Sequence, residues 1–289
     1  MKRWKQFTCC VFLMLLVLPV QVDAYPAKKL AVHFLDVGQG DSILIQTPTG
    51  KHILIDGGPP EAGKTVVNYL KALEIDKIDL LIATHPDIDH IGGLPAVMQA
   101  FPVKLLMDSG KVHGTKTYMR YLQQIRKKQI PMMLARKNQS IDIDPLMDLQ
   151  VLNTSSKHKS NNQSSIVLKL SFGKHDLLFM SDIEQKQEKE LLSQYDVQAD
   201  LIKVAHHGSK TSSSKVFLEE VDANVAILTY SKDNDYGHPV ERVIKRLLQL
   251  DTHIYSTAVF GHIIFQTDGQ NFLIFPEKGP LDALNEKTG

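Results

Sequence analysis

Cysteine is almost missing from this chain: there are two, Cys9 and Cys10, side by side in one apolar run near the start. The rest of the sequence can therefore build neither a disulfide frame nor a thiolate metal site. Neither cysteine stands in a lipobox-like pattern at the end of that run, which argues against a lipid anchor. An excess of one charge is missing too, since Lys and Arg number 33 against 32 Asp and Glu. A duplex-binding protein ordinarily shows a basic excess. Low-complexity linkers and exact internal repeats are also absent, so nothing divides the body of the chain. Its 43% hydrophobic and 22% charged residues suit a soluble globular domain and exclude bulk disorder.

What is there begins with a distinct amino-terminal segment. Lys2, Arg3 and Lys5 precede an apolar stretch over residues 6–20, and Val22-Asp23-Ala24 offers a cleavage site of the A-x-A kind. That layout predicts a signal peptide over residues 1–24 and a secreted or extracellular protein. The apolar stretch is short of the roughly 20 residues that a membrane span needs. An uncleaved anchor is the alternative, and either reading puts the body of the protein outside the cytoplasm.

Beyond it, β-rich runs alternate with helical spacing. Residues 30–36, 41–47 and 52–56 read as three strands joined by Gly-containing turns. Residues 62–74 place Val66, Val67, Leu70 and Leu73 on one helical face. A short apolar strand, Asp79–Ala83, stops where Thr84-His85 begins. Further helices are expected near 115–128, 183–194, 213–221 and 239–249. Further strands are expected at 164–172, 175–180, 199–204, 224–229 and around 253–275. Residues 153–163 read as a loop. The order predicts helix layers covering packed mixed sheets in one domain over residues 28–280.

The chemistry concentrates in Thr84-His85-Pro86-Asp87-Ile88-Asp89-His90-Ile91-Gly92-Gly93. Imidazole and carboxylate suit a divalent metal, and four such groups in one loop can serve two ions. His85 and Asp87, at alternate positions, would converge on one ion, with Asp89 and His90 facing the other. A solvated loop with two incidental histidines is the bland alternative. Asp182 ends an apolar strand and would either ligate metal or cap the helix that follows. His206 and His207 follow another strand; as the first residue past it, His206 is the expected ligand. Asp36, Asp41 and Asp56 sit in strand ends and turns, where Asp is favoured regardless of function. They would also serve as acceptors that orient ligand histidines.

The motif resembles the H-x-H-x-D-H signature of the metallo-β-lactamase superfamily, with Asp87 in place of its second histidine. That variant is similar to the extracellular hydrolase domain of the bacterial competence protein ComEC. So are the segments Phe34–Gly58, Met180–Glu184, Lys203–Ser212 and Tyr236–Pro239, in the same order. The membrane channel of the full competence protein is absent from the chain. The resemblance implies an α+β fold, an αββα sandwich of two mixed sheets flanked by helices. It implies two divalent ions, Zn²⁺ or Mn²⁺, held by His85, Asp87, Asp89, His90, Asp182 and His206, with Asp182 bridging them. Asn161 and Asn162 stand where many relatives carry a further histidine, so an asparagine or water would complete the first shell. The harder, oxygen-rich set makes Mn²⁺ a stronger competitor of Zn²⁺.

By the same resemblance the reaction is phosphodiester hydrolysis, the substrate extracellular DNA or RNA, and the process DNA uptake. Asp89, His207 and His238 are the catalytic candidates. His238, or whichever of His206 and His207 does not ligate, would protonate the leaving oxygen; capping a helix is the other reading of His238. Ser209, Lys210, Thr211 and Ser212 offer donors for a phosphate. The competing readings are a phosphocholine-type phosphoesterase and, from another class, a non-catalytic, metal-stabilised binding module.

Overall fold

The computed structural model describes residues 28–155 and 157–279; the expected signal peptide lies outside them. In chain order the strands are β1 (Leu30–Phe34), β2 (Ile43–Gln46), β3 (His52–Ile55), β4 (Leu80–Ala83), β5 (Leu106–Asp108), β6 (Met132–Leu134) and β7 (Asp148–Asn153). There follow β8 (Val167–Phe172), β9 (His175–Phe179), β10 (Leu201–Lys203), β11 (Val225–Leu228), β12 (His253–Ser256), β13 (Ile263–Thr267) and β14 (Phe272–Pro276). The helices are α1 (Gly63–Ala72), α2 (Ile88–Ile91), α3 (Leu94–Ala100), α4 (Lys116–Lys128), α5 (Gln185–Leu192), α6 (Lys215–Val221), α7 (Glu241–Gln249) and α8 (Thr257–Phe260).

The strands form two sheets, ordered β14-β13-β1-β2-β3-β4-β5-β6 and β12-β11-β10-β9-β8-β7. Each is mixed: β3 to β6 run parallel in the first and β9 to β12 in the second, and the remaining neighbours pair antiparallel. Alternation along the strands explains why two sheets must stack. Leu30, Val32 and Phe34 of β1 pack inward with Ile43, Ile45, Ile53 and Ile55, and meet Leu168, Leu170, Leu177 and Phe179 of the other sheet. The intervening residues also are apolar wherever a helix covers the outer face. Leu44, Leu54 and Leu81 meet Val66 and Leu70 of α1 and Val97 of α3, with Tyr121 of α4. Leu178, Ile202 and Ala226 meet Leu191, Phe217 and Val243 of α5, α6 and α7. This is the αββα sandwich expected from the sequence.

Beyond the expected elements the structure has three further strands and the one-turn helix α2. β5 and β6 have three residues each, too short for a period to register. β7, residues 148–153, follows the turn-rich stretch 136–147 and reads as its continuation. The expected single run around 253–275 is three strands and a short helix. Among the described residues no helix is long and apolar enough to cross a membrane.

Two chain reversals are locked together beside the carboxyl ends of β3 and β4. Gly57 N donates to His90 O at 2.8 Å, Gly93 N to Gly58 O at 2.9 Å, and Asp41 N to Asp89 O at 3.2 Å. The backbones lie so close that a Cβ on Gly93 would meet Gly57 O at 2.1 Å. Only hydrogen fits there, and the neighbour is backbone that cannot swing aside. Gly93→Ala should therefore lower the unfolding free energy by about 1–3 kcal/mol or more, read as a lower urea midpoint at unchanged m-value. A midpoint equal to wild type would show that this contact is looser than described.

Candidate metal centre

The parallel halves of both sheets end at the same edge, and every residue of the motif sits just past a strand. In open α/β sheets this edge is where ligands bind. Asp56 follows β3, Thr84 and His85 follow β4, Asp182 follows β9, and Thr229 follows β11. The 3-10 turn Ala205–Gly208 follows β10 after one extended residue.

Asp182 lies at the middle. Its Oδ2 is 3.3 Å from His90 Nε2, 3.5 Å from His207 Nε2, 3.7 Å from His206 Nε2 and 3.9 Å from His85 Nε2. Asp87 Oδ2 stands 3.4 Å from His85 Nε2, and Asp89 Oδ2 3.4 Å from His207 Nε2 and 3.8 Å from His90 Nε2. Ligand atoms of Asp89, His90, Asp182 and His207 all lie within 4.8 Å of one another. His207 stands in this tight group; His206, the expected ligand, stands outside it but keeps its Nε2 3.7 Å from Asp182 Oδ2. Both histidines have left-handed φ, 51° and 53°, so the chain reverses past β10 and both rings reach Asp182, His207 from the buried side. His206 is partly exposed, with Nδ1 3.1 Å from Thr211 Oγ1, and lines the cleft wall with His238.

The ring nitrogens facing away from the cluster are all engaged. His90 Nδ1 is 2.8 Å from Asp56 Oδ2, and His207 Nδ1 is 2.6 Å from Thr229 O. His85 Nδ1 is 3.0 Å from Thr84 Oγ1. A carbonyl can only accept, so His207 carries its proton on Nδ1 and turns a lone pair inward. Inside, His85 Nε2, His90 Nε2, His207 Nε2 and Asp182 Oδ1 are buried with no hydrogen-bond partner. Leaving such atoms unpaired costs about 1–3 kcal/mol each. Four of them converging among three carboxylates fit a divalent metal, which takes lone pairs from nitrogen and oxygen together. The cluster implies divalent metal ions, with carboxylate oxygens and imidazole nitrogens as the available donors.

Residues behind these groups fix them. Asp56, at φ 57°, accepts from Thr84 N and Thr84 Oγ1 at 2.9 and 2.6 Å besides holding His90. Asp36 makes no such contact; its Oδ1 accepts from Gly38 N at 3.2 Å and serves a turn. Asn161 Nδ2 donates to Asp87 Oδ1 at 2.6 Å, so this asparagine steadies a carboxylate, while Asn162 Nδ2 lies 3.3 Å from His206 Nε2. Ser212 Oγ donates to Ile183 O at 2.6 Å. Neither it nor Ser209, Lys210 or Thr211 lines the cleft. Lys203 escaped the sequence reading altogether. It is fully buried, 2.7 Å from Asp41 Oδ2, and Thr229 Oγ1 donates to Asp41 Oδ1 at 2.5 Å. Its signal was a lone charge in the otherwise apolar run LIKVA.

Electrostatics show what the metal-free centre does with its charge. Burial alone would raise the Asp182 carboxyl, but His207, His90 and His206 hold it well below the usual carboxylate range. Burial would lower His90, yet Asp182, Asp89 and Asp56 raise it well above the usual imidazole value. Burial likewise opposes, and Asp182 and Asp89 outweigh it, at His207, which is also raised. Protons on these rings balance the carboxylates that metal would otherwise balance.

Two predictions follow from this charge layout. In chelator, the ion pairing should stabilise the metal-free protein fully between about pH 4 and 6.5, the ordinary values of the two group types. Below that window stability falls as pH drops through the depressed Asp182 value; above it, stability falls as pH rises through the raised His90 value. Urea melts across pH would show it, and metal-free stability still rising above pH 6.5 would contradict it. Separately, Lys203→Met leaves the Asp41 carboxylate buried alone and should cost about 3–5 kcal/mol. Adding Asp41→Asn should restore most of that, and a double variant no more stable than Lys203→Met would refute the pairing.

Comparison with known proteins agrees with this geometry. The chain is 28% identical to ComE operon protein 3 of Bacillus subtilis, covering 93% of this chain and 37% of that protein. It is 30% identical to competence protein ComA of Neisseria gonorrhoeae, over 84% of this chain and 33% of that one. It therefore spans only about a third of the length of these relatives. Among solved structures, Zn²⁺-bound PqqB from Methylobacterium extorquens superposes with a TM-score of 0.51 at 9% identity, covering 78% of this chain and 97% of that one, a likeness of fold. Residues 35–231 match the model of the metallo-beta-lactamase superfamily. This chain is thus a member of the metallo-β-lactamase superfamily, in its metal-dependent hydrolase fold, and a homologue of the ComEC-like competence proteins.

Proposed function

We propose that the protein is an exported phosphodiesterase that cleaves nucleic acid at a two-metal centre. The observation that carries this reading is the set of four unpartnered buried ligand atoms, on His85, His90, His207 and Asp182, the last two of which line an open cleft. His85, Asp87 and Asp182 would hold one ion, and Asp89, His90, His207 and Asp182 the other. Three carboxylates make the set harder than an all-histidine one, which favours Mn²⁺ beside Zn²⁺. Paired divalent ions supply Lewis acidity for phosphoryl oxygens and acidify water, the chemistry that phosphodiester hydrolysis needs at neutral pH. Competence proteins among the relatives support nucleic acid as the substrate class. Export rests on the pattern of residues 1–24.

The chain's own groups do the rest. Asp182 ties the ligand groups together, because its Oδ2 lies within 4 Å of His85, His90 and His207 at once. Asp56, Thr84 and Thr229 hold the rings in place, which keeps the geometry fixed through a turnover. His238 lines the cleft. Burial, then His206 and His207, lowers its pKa to about 4. It is neutral at pH 7 and so donates a hydrogen bond to a phosphoryl or leaving oxygen rather than releasing a proton.

The test is hydrolysis of DNA, RNA, cyclic nucleotides, a chromogenic diester and phosphocholine esters by metal-loaded protein, with and without chelator. Phosphodiesters should be cleaved and chelation should abolish the activity reversibly. Asp182→Ala should lower turnover roughly a hundredfold or more, the several kcal/mol that charge stabilisation supplies. His238→Ala should lower it by a smaller factor. Diester cleavage that survives both chelator and Asp182→Ala would overturn the reading, and cleavage of phosphocholine esters alone would replace it.

A further inference from the structure

The metal-centre residues account for the floor of the cleft but not for its rim. The cleft encloses about 320 Å³, and segment 231–238 forms one lip of it. Asn234 ties this segment into one piece. Its Nδ2 donates to Ser231 O and to His238 O, both at 2.7 Å, and its Oδ1 accepts from Tyr236 N at 3.1 Å and His238 N at 3.0 Å. Ser231 N donates in turn to Gln39 Oε1 at 3.3 Å. The tip of the lip is Tyr236, 69% exposed, its ring stacked on His238 with centroids 5.7 Å apart and planes at 23°. Ile88, between Asp87 and Asp89, lines the same cleft and is 53% exposed.

A large ring held in water by a rigid loop forfeits burial that a flexible loop would recover by folding it down. The composition of the walls says what such a ring is for. Besides the metal-centre residues they present Gln39, Ile88, His113, Thr115, Thr117 and Tyr236. No Lys or Arg lines the cleft among the described residues. A site that tracked flanking phosphates would need those cations. This one offers an aromatic face, an aliphatic side chain and uncharged donors, which suit a flat, apolar-faced group.

We propose that Tyr236 determines which phosphodiesters the centre accepts, by stacking on an unpaired nucleobase that adjoins the scissile phosphate. The substrate is then single-stranded nucleic acid, because inside a duplex both faces of each base are already covered by its neighbours. This specificity rests on the phosphodiesterase reading for its phosphate, but the stacking itself can be measured without turnover.

The experiment titrates Mn²⁺-loaded protein with a single-stranded oligonucleotide that contains 2-aminopurine and phosphorothioate linkages. Fluorescence of that base is quenched when it stacks. Wild type and Tyr236→Phe should quench it. Tyr236→Ala should lose most of the quenching and bind about fivefold to a hundredfold more weakly, the range for one stacked base. A paired duplex of the same sequence should bind more weakly than the single strand and be indifferent to Tyr236→Ala. Equal quenching and affinity in Tyr236→Ala would overturn the proposal. So would a duplex bound as tightly as the single strand, or phosphocholine binding that depends on Tyr236 when oligonucleotide binding does not. Hydrolysis of bis(p-nitrophenyl) phosphate by the same preparations separates the two readings: stacking without hydrolysis removes the phosphodiesterase assignment alone, and hydrolysis without stacking removes this one alone.

Discussion

Everything at the working edge of this molecule answers to one buried carboxylate. Asp182 draws four imidazoles from two separate chain segments to within 4 Å of a single oxygen. No fold would place a charge there without a cation to meet it, since an uncompensated buried carboxylate costs several kcal/mol. The surrounding design spreads the same constraint outward. Asp56 holds His90, Thr229 holds His207, and the Asp41–Lys203 pair anchors Thr229. Lys203 brings a fixed positive charge into a region crowded with carboxylates, and it comes from a buried strand rather than from solvent.

The two-sheet architecture is what lets so many acids meet. Parallel strands deliver their carboxyl ends to one edge, and here both sheets do so on facing layers. Backbone polar groups along those strands are used up in the ladders, so the loops beyond them are free to aim side chains at the cleft. The glycine contacts between loops 56–58 and 92–93 remove the last freedom on one side. The opposite lip, with Asn234 and Tyr236, is stiffened by side-chain amide bonds instead, which leaves its residue identities open to change.

Much of this was legible in the sequence because each motif stood at the end of an apolar run. His85, Asp87, Asp89, His90 and Asp182 could be placed that way, and the αββα layering followed from alternation in the strands. What failed depended on local backbone or on distant partners. That both His206 and His207 approach Asp182 depends on two successive left-handed residues, which no side-chain pattern announces before a glycine at 208. Lys203 and Asp41 are 162 positions apart, and their pairing exists only once the sheets have stacked. Asn161 could be seen as a departure from the family pattern, but its hydrogen bond to Asp87 could not. β5 and β6 were too brief to carry a period.

The residues of the cluster come from two stretches, residues 85–90 and 182–207, whose strands belong to opposite sheets. Neither stretch alone can hold an ion in the arrangement seen here. Contacts of such high sequence separation form late, after loop closure has been met by burial elsewhere. The centre is thus a record of completed folding: a chain caught part-way, whether newly made or in transit, carries all the right residues and no working site.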